Sequence, residues 1–425
     1  MALIITRTIE MEKFKMNLLM LIILLFFWIM LLFYSILTVS GVVQRLTKKE
    51  TLNLKNYPSI AVLIPAHNED VVIKDTLNAM VKLKYPGELT VYVLDDNSKD
   101  DTENIVQEFS QLFSKIRYIK VPPGEPTGKS RVLNYGLSIT KSDYFLVYDA
   151  DNQPEENAVM ELIYAAETTK DAAGAVGYVK TINANQNLLT RMIAIEFQVF
   201  QLLMQSGRWK MFKAGSLAGT NMLLKRDVLI AAGGYDPYAL AEDAELTVRI
   251  AAMGKTLPVV HQSHTWEQEP ENIKIFIKQR TRWFTGNLYL LEKSLHEWSF
   301  WKGKTFIYSL QHLLTYFVFV ILLLISNSWF FLGLFGFSVP YFDVPLLLIW
   351  FLSYVVYTAQ IISSMVLEES ITPFNVFVGF IMYFTYAQFF LVLLLRSASQ
   401  YIWSRMTNKT ISWDKTKRFK KGEAE

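Results

Sequence analysis

The sequence predicts an α/β domain held between an N-terminal membrane-spanning helix and a C-terminal group of membrane helices. Three observations predict it. An apolar run from Met16 to Val39 is long enough to cross a hydrocarbon core of ~30 Å. Between Pro58 and Val260, short apolar runs alternate with amphipathic stretches, the pattern of a sheet with helices on its faces. From Phe306 onward the chain is mostly apolar again.

Composition agrees. The chain has 425 residues, 52% of them hydrophobic and 14% aromatic, with ten tryptophans, as suits interfacial aromatic belts. That length accommodates two or three structural units. The absence of cysteine excludes disulfides and cysteine metal sites. A net charge of +3, with no basic and aromatic segment, argues against a nucleic-acid partner.

The first element is read as an anchor over residues 1–50. A signal peptide would have an apolar run of only ~7–15 residues and a small-residue cleavage site. This run is longer and leads into "RLTKKE", which places Arg45, Lys48 and Lys49 on the cytoplasmic side. Arg7, Lys13 and Lys15 make the other flank basic too.

The second element, residues 51–270, carries the runs "SIAVLIPA", "LTVYVLDD", "IRYIKV", "YFLVYDAD" and "GAVGYV". They predict a parallel or mostly parallel sheet, and ligands of such sheets bind beyond the carboxyl ends of the strands. Asp95 and Asp96 sit at one such end, and Asp149 and Asp151 at another. Paired carboxylates repel each other unless a dication or solvent compensates. Two acidic pairs at one sheet edge predict a shared site.

The stretch Leu188 to Gln205 is amphipathic and reads either as a core helix or as a helix lying in the headgroup plane. The same holds for the interfacial unit, residues 271–305, with "NIKIFIKQRTRWFTGNLYLLEK" and "HEWSFWKGK". In residues 306–400, spans are predicted at Phe306 to Ile325, Val344 to Met365 and Phe374 to Leu395. Trp329 to Phe342 is too short for a clear span and reads as a crossing, a re-entrant piece or a loop. The basic tail, 401–425, is expected in the cytoplasm. An even number of crossings is then needed, and three are clear.

Chemistry is concentrated in "PAHNED" (Pro65 to Asp70), "LDDNSKDDT" (Leu94 to Thr102), "GKSRVLNYG" (Gly128 to Gly136), the Asp149–Asp151 pair, "GTNMLLKRD" (Gly219 to Asp227), "AED" (Ala241 to Asp243) and "QRTRW" (Gln279 to Trp283). In order and spacing these stretches resemble the membrane-integrated family-two glycosyltransferases of GT-A fold, the processive synthases of cellulose, hyaluronan, chitin and poly-N-acetylglucosamine. The resemblance covers Pro58 to Glu292 by motif and the flanking spans by layout.

The resemblance implies a site for a nucleotide diphosphate sugar. Pro65, His67, Asn68 and Glu69 would line the nucleotide cleft, and Asp96 or Asp95 would accept from uracil N–H. Lys129 would place a positive charge near the diphosphate. Asp151, with Asp149, would hold Mg²⁺ or Mn²⁺, which favour hard oxygen ligands. Asp243, beside Glu242, would be the base that deprotonates an acceptor hydroxyl, giving inversion. Ala241 stands where the family often has Thr. Gly219, Thr220 and Asn221 would pass near the acceptor, and Trp283 would offer a sugar an aromatic face. Gln279, Arg280 and Arg282 would serve the diphosphate or brace the base. His261 and His264 are read as packing beside the site. The F-x-V-T-x-K gating segment of cellulose synthases is missing, so regulation by a built-in nucleotide sensor is not expected.

The leading expectation is a multi-pass enzyme of the cell membrane with a cytoplasmic catalytic domain. It would polymerise a UDP-hexose, glucose favoured over N-acetylglucosamine, into a β-linked polysaccharide exported through its own helices, with an accessory subunit or a second copy as possible partners. The first alternative is a single transfer to a lipid carrier or glycolipid. The other class is a transporter or inactive scaffold, which needs neither a nucleotide domain nor Asp96, Asp151 and Asp243 together.

Overall fold

A computed structural model describes residues 2–47, 54–303, 305–335 and 343–407. Its centre is an eight-stranded sheet in the order β3-β2-β1-β4-β7-β6-β8-β5. The strands are β1 (Ile60–Ala66), β2 (Leu89–Asp95), β3 (Ile116–Lys120), β4 (Tyr144–Val147), β5 (Gln153–Pro154), β6 (Gly174–Thr181), β7 (Met222–Lys225) and β8 (Val259–Glu267). β3, β2, β1 and β4 run parallel. β7 is antiparallel to β4 and to β6, β6 and β8 are parallel, and β5 is antiparallel to β8. The sheet is therefore mixed, and less parallel than the sequence predicts. The chain leaves β6 for a long helical excursion and re-enters the sheet at the same end, so β7 runs antiparallel to β6.

β1 and β4 read as unbroken apolar runs because helices cover both faces of the sheet. Alternate residues serve opposite cores. Ile60, Val62 and Ile64 pack with Ile73, Leu77, Met80 and Leu162. Ala61, Leu63, Phe145 and Val147 pack on the other side with Val132, Leu133, Leu246 and Ile250.

The excursion after β6 is a helix (Leu188–Gln198), a π-helical stretch (Val199–Gln205) and a second helix (Ser206–Phe212). It does not lie free in an interfacial plane. Met192, Ile193 and Ile195 are buried in one cluster with Phe276, Ile361 and Met365, sandwiching the helix between sheet and apolar helices. Its other side takes the N-terminal helix (Ala2–Leu46) at very close range. A Cβ on Gly41 would stand 2.5 Å from the Leu203 carbonyl oxygen, and one on Gly207 2.3 Å from that of Leu37. Only glycine permits this approach.

Among the described residues three helices are long and apolar enough to cross a membrane: Leu18–Leu46, Thr305–Ile325 and Leu348–Leu367. The span expected at Phe374 to Leu395 falls on a pair of helices, Pro373–Met382 and Tyr386–Thr407, bent by 42°, which together form either a broken span or a re-entrant loop. The helical ladder slips there, because Phe384 and Thr385 N–H both donate to the Ile381 carbonyl. Trp329 continues the helix Phe319–Leu334. Residues 336–342 and the tail from 408 lie outside the described residues, so the expectations for the rest of Trp329 to Phe342 and for the tail rest on sequence.

Candidate active site

The carboxyl ends of β1 and β2 open into a cavity of about 570 Å³. Pro65 at the end of β1 and His67 and Glu69 from the loop after it line the cavity, with Asp96 from the loop after β2, Lys129 and Asp149. Local geometry holds this end. His67 Nδ1 lies 2.6 Å from the Asp96 carbonyl oxygen. The Asp96 carboxylate is paired with Arg131, in the first turn of the helix Lys129–Ile139.

Two residues predicted for donor contact lie elsewhere. Asp95 is fully buried and takes hydrogen bonds from the Ser98 N–H (3.0 Å) and hydroxyl (2.5 Å) and from the Tyr118 hydroxyl (2.8 Å). It ties the loop after β2 instead of facing the cavity. Asn68 does not line the cavity; it adopts φ 54° and accepts from Lys99 N–H at 2.7 Å, shaping the turn.

Lys129 is the electrostatic hub. Its Nζ lies 2.6 Å from Asp149 Oδ1, 3.4 Å from Glu242 Oε1 and 2.7 Å from the Gly219 carbonyl oxygen. Burial works against its charge, but Asp149 and Glu242 outweigh it and hold its pKa above the usual lysine value. Gly219 has φ +78°, a left-handed conformation that glycine adopts without strain. A Cβ there would point at Asp243 Oδ2, 3.7 Å away.

Glu242 and Asp243 open the helix Glu242–Ala252, and both line the cavity. Asp243 Oδ1 accepts from the Ala244 N–H at 2.8 Å. Burial, then the Glu242 charge, push the Asp243 carboxyl up to about 7; the Ala244 hydrogen bond and Lys129 oppose the rise. A carboxylate with that value is suited to proton transfer at neutral pH.

Thr220 lines the cavity and accepts from the Asp149 N–H at 3.1 Å, while donating to Asn152. Asn221 is fully buried beneath it, bound to the Tyr148 hydroxyl and the Ser263 carbonyl, and so braces the sheet rather than an acceptor. Asp151 is buried and, unlike Asp149, does not line the cavity; the Gln268 N–H donates to it at 3.2 Å. Glu267, also in the lining, has its carboxyl raised far above the usual range by burial and by Glu269, Asp151 and Asp149. His264 bonds Glu155 and His261 is buried in β8.

Gln279, Arg280, Arg282 and Trp283 all line the cavity from one helix, Ile273–His296. Arg280 is not directed at a diphosphate: it is buried and paired with Glu196 at 2.7 Å, and Glu196 also accepts from the Tyr386 hydroxyl. Trp283 is packed by Phe197, with ring centroids 6.3 Å apart. Beyond Asp243 the lining continues through Phe200, Arg208, Tyr308, His312 and Tyr316 to Tyr34 and Leu37 of the N-terminal helix. Arg131, Glu196, Arg208 and Glu267 were not singled out by sequence; Arg131 alone lay inside a quoted motif.

Comparison with known proteins agrees with this geometry. Residues 58–286 match the family described as "Glycosyltransferase like family 2". The chain is 38% identical over 407 residues to the probable glycosyltransferase YdaM of Bacillus subtilis (strain 168), covering 92% of this chain and 96% of that one. It is 27% identical over 231 residues to a beta-monoglucosyldiacylglycerol synthase of Trichormus variabilis, covering 54% of this chain and 49% of that one. It is 25% identical over 243 residues to a poly-beta-1,6-N-acetyl-D-glucosamine synthase of Staphylococcus aureus, covering 57% of each. These last two matches span about half the length of the relatives. Mannosyltransferase PcManGT from Pyrobaculum calidifontis, solved in complex with GDP-Man and Mn²⁺, shares the fold, with a TM-score of 0.55 at 16% identity over 91% of this chain and 99% of that one. The chain belongs to glycosyltransferase family 2 and is a nucleotide-sugar-dependent transferase with a GT-A-like catalytic domain.

Proposed function

We propose that the chain transfers a hexose from a UDP-hexose, with inversion, to a lipid-borne acceptor that reaches Asp243 from the membrane-helix end of the cavity. One observation carries this reading. A single cavity runs from Asp96, past Lys129 and Asp243, to Tyr34 and Tyr316, and those two residues lie midway along the candidate spans Leu18–Leu46 and Thr305–Ile325. An acceptor lipid needs only to reach that end of the cavity. Exporting a polymer needs a lined path along whole spans. The similarity to a beta-monoglucosyldiacylglycerol synthase supports glucose as the sugar and a lipid as its acceptor. The catalytic domain would face the cytoplasm, where nucleotide sugars are made.

In this reading Asp96, set by Arg131, meets the nucleotide base, and Lys129 meets the diphosphate. Asp243 takes the proton of the acceptor hydroxyl as it attacks the anomeric carbon from the face opposite the diphosphate. Asp149 and Asp151 suit a divalent ion. Acid is concentrated there, since Glu267 lines the same cavity as Asp149 and lies near Asp151. No three His, Cys, Asp or Glu side chains among the described residues form a metal cage of their own. Mg²⁺ is usually bound by one or two carboxylates plus substrate phosphates, so this arrangement fits an ion that enters with the donor. When bound, such an ion stabilises the charge developing on the leaving diphosphate.

Polymer extension is the second reading. The aromatic lining favours it, since Phe197, Phe200, Trp283, Tyr308 and Tyr316 offer faces on which sugar rings stack. Product size separates the two. Purified protein is supplied with radiolabelled UDP-glucose or UDP-N-acetylglucosamine and membrane lipids. A lipid-extractable product carrying one sugar is expected. A high-mass product resistant to lipid extraction replaces the first reading with the second, and no transfer from either donor defeats both.

A further inference from the structure

Arg208 is a buried cation to which no carboxylate of the described residues is matched. It sits in the helix Ser206–Phe212, is 7% exposed, and lines the cavity beyond Asp243. Its guanidinium donates to Gln311 Oε1 at 3.0 Å and to Ser216 Oγ at 2.9 Å, both neutral. Its Nε has no hydrogen-bond partner among the described residues. Of the carboxylates lining the same cavity, Glu196 is paired with Arg280, Asp149 and Glu242 with Lys129, and Asp96 with Arg131. A buried charge without a counter-ion is costly, and an unfilled donor adds to the cost.

We propose that Arg208 is the anchor of an anion site at the bilayer end of the cavity, and that its ligand is the phosphate group of a membrane lipid. The guanidinium fork matches the geometry of phosphate oxygens. The surroundings say what carries the phosphate. Tyr34 and Leu37 belong to one candidate span, and Tyr308, Thr315 and Tyr316 to another. An anion held between two apolar helices is most readily delivered on an acyl-chain carrier. The proposal rests on the reading of a lipid-borne acceptor and narrows it: the acceptor is a lipid that carries both a phosphate, held by Arg208, and a free hydroxyl, presented to Asp243, and so is not diacylglycerol itself.

The test measures binding. Full-length protein in a nonionic detergent is titrated with dioctanoyl phosphatidic acid, dioctanoylglycerol or inorganic phosphate, and the thermal unfolding midpoint is followed. Phosphatidic acid is expected to raise the midpoint saturably and the other two are not. Arg208→Gln should weaken that response at least ~10-fold, the loss expected for a charged hydrogen bond. Gln311→Glu keeps the arginine and sets a carboxylate against it, so it should abolish the response even if Arg208→Gln folds poorly. An unchanged response in Gln311→Glu, or dioctanoylglycerol binding as tightly as phosphatidic acid, overturns the site. Inorganic phosphate binding as tightly as the lipid overturns the lipid assignment. UDP with Mn²⁺ is added in parallel: a wild-type protein that ignores UDP but binds phosphatidic acid through Arg208 defeats the transferase reading and leaves this site standing.

Discussion

The Arg280 guanidinium carbon lies 4.1 Å from the centroid of the Trp283 ring. Phe197 and Phe276 flank the same guanidinium at 5.4 and 5.3 Å, and Glu196 closes it with a hydrogen bond. The "QRTRW" segment is thus a seam: the helix Leu188–Gln198 supplies Glu196, and Tyr386 reaches the same carboxylate from the helix Tyr386–Thr407. Arg280 packs on Trp283 and, through Glu196, joins the domain to its apolar helices.

The first prediction follows from that burial. Glu196→Gln leaves the Arg280 charge without its carboxylate. Losing one partner of a buried pair costs on the order of 3 kcal/mol. The unfolding midpoint in detergent should fall, and sugar transfer should fall with it, while UDP affinity stays near wild type. A variant with unchanged midpoint and unchanged transfer would show that the pair is not structural.

A second prediction separates binding from chemistry. Asp243→Asn keeps the shape of the side chain and its hydrogen bond from Ala244 but cannot take a proton. Transfer should drop at least ~10²-fold, the scale of general-base catalysis. UDP binding, measured by calorimetry, should persist. Near-wild-type turnover in this variant would move the base to another residue.

The third concerns the acidic pair. Turnover should vanish in excess chelator and return with Mn²⁺ or Mg²⁺. Asp151→Asn should weaken metal-dependent UDP binding more than metal-free binding. UDP affinity that is equal with and without metal would remove the ion from the donor site.

Much of this site was legible because carboxylates at strand ends are visible in a linear pattern. Asp96, Lys129, Asp149 and Asp243 fall in one cavity as their motifs implied. The pattern did not separate Asp95 from Asp96. Adjacent residues at a strand end point to opposite sides, and here Ser98 and Tyr118 claim the first of the pair. Partners far apart in the chain were invisible for a different reason. Arg131 and Asp96 are 35 residues apart, Glu196 and Arg280 84, Arg208 and Gln311 103. No local periodicity encodes such pairs. β7, only Met222–Lys225, is too short to announce its direction, so its antiparallel pairing with β4 and β6 is not legible in the sequence. Burial hid the docking of Leu188–Gln198: an amphipathic helix looks the same whether its apolar face meets lipid or Ile361.

The last prediction is a pH profile with its sign. Asp243 titrates at about 7, chiefly because it is buried and next because Glu242 is charged beside it. A general base works in its deprotonated form. The free enzyme should therefore be poorly active below pH 6, and kcat/KM should rise with pH through a midpoint near 7, since that ratio reports the ionisation of the unliganded enzyme. Glu242→Gln removes the neighbouring negative charge. The Asp243 carboxylate then becomes easier to form, and the midpoint should move to lower pH even if maximal turnover falls. The donor serves as an internal control, because UDP binding measured over the same range should not follow the same curve. A midpoint that stays fixed in Glu242→Gln, or a rate that falls as pH rises from 6 to 8, would separate the titrating group from Asp243.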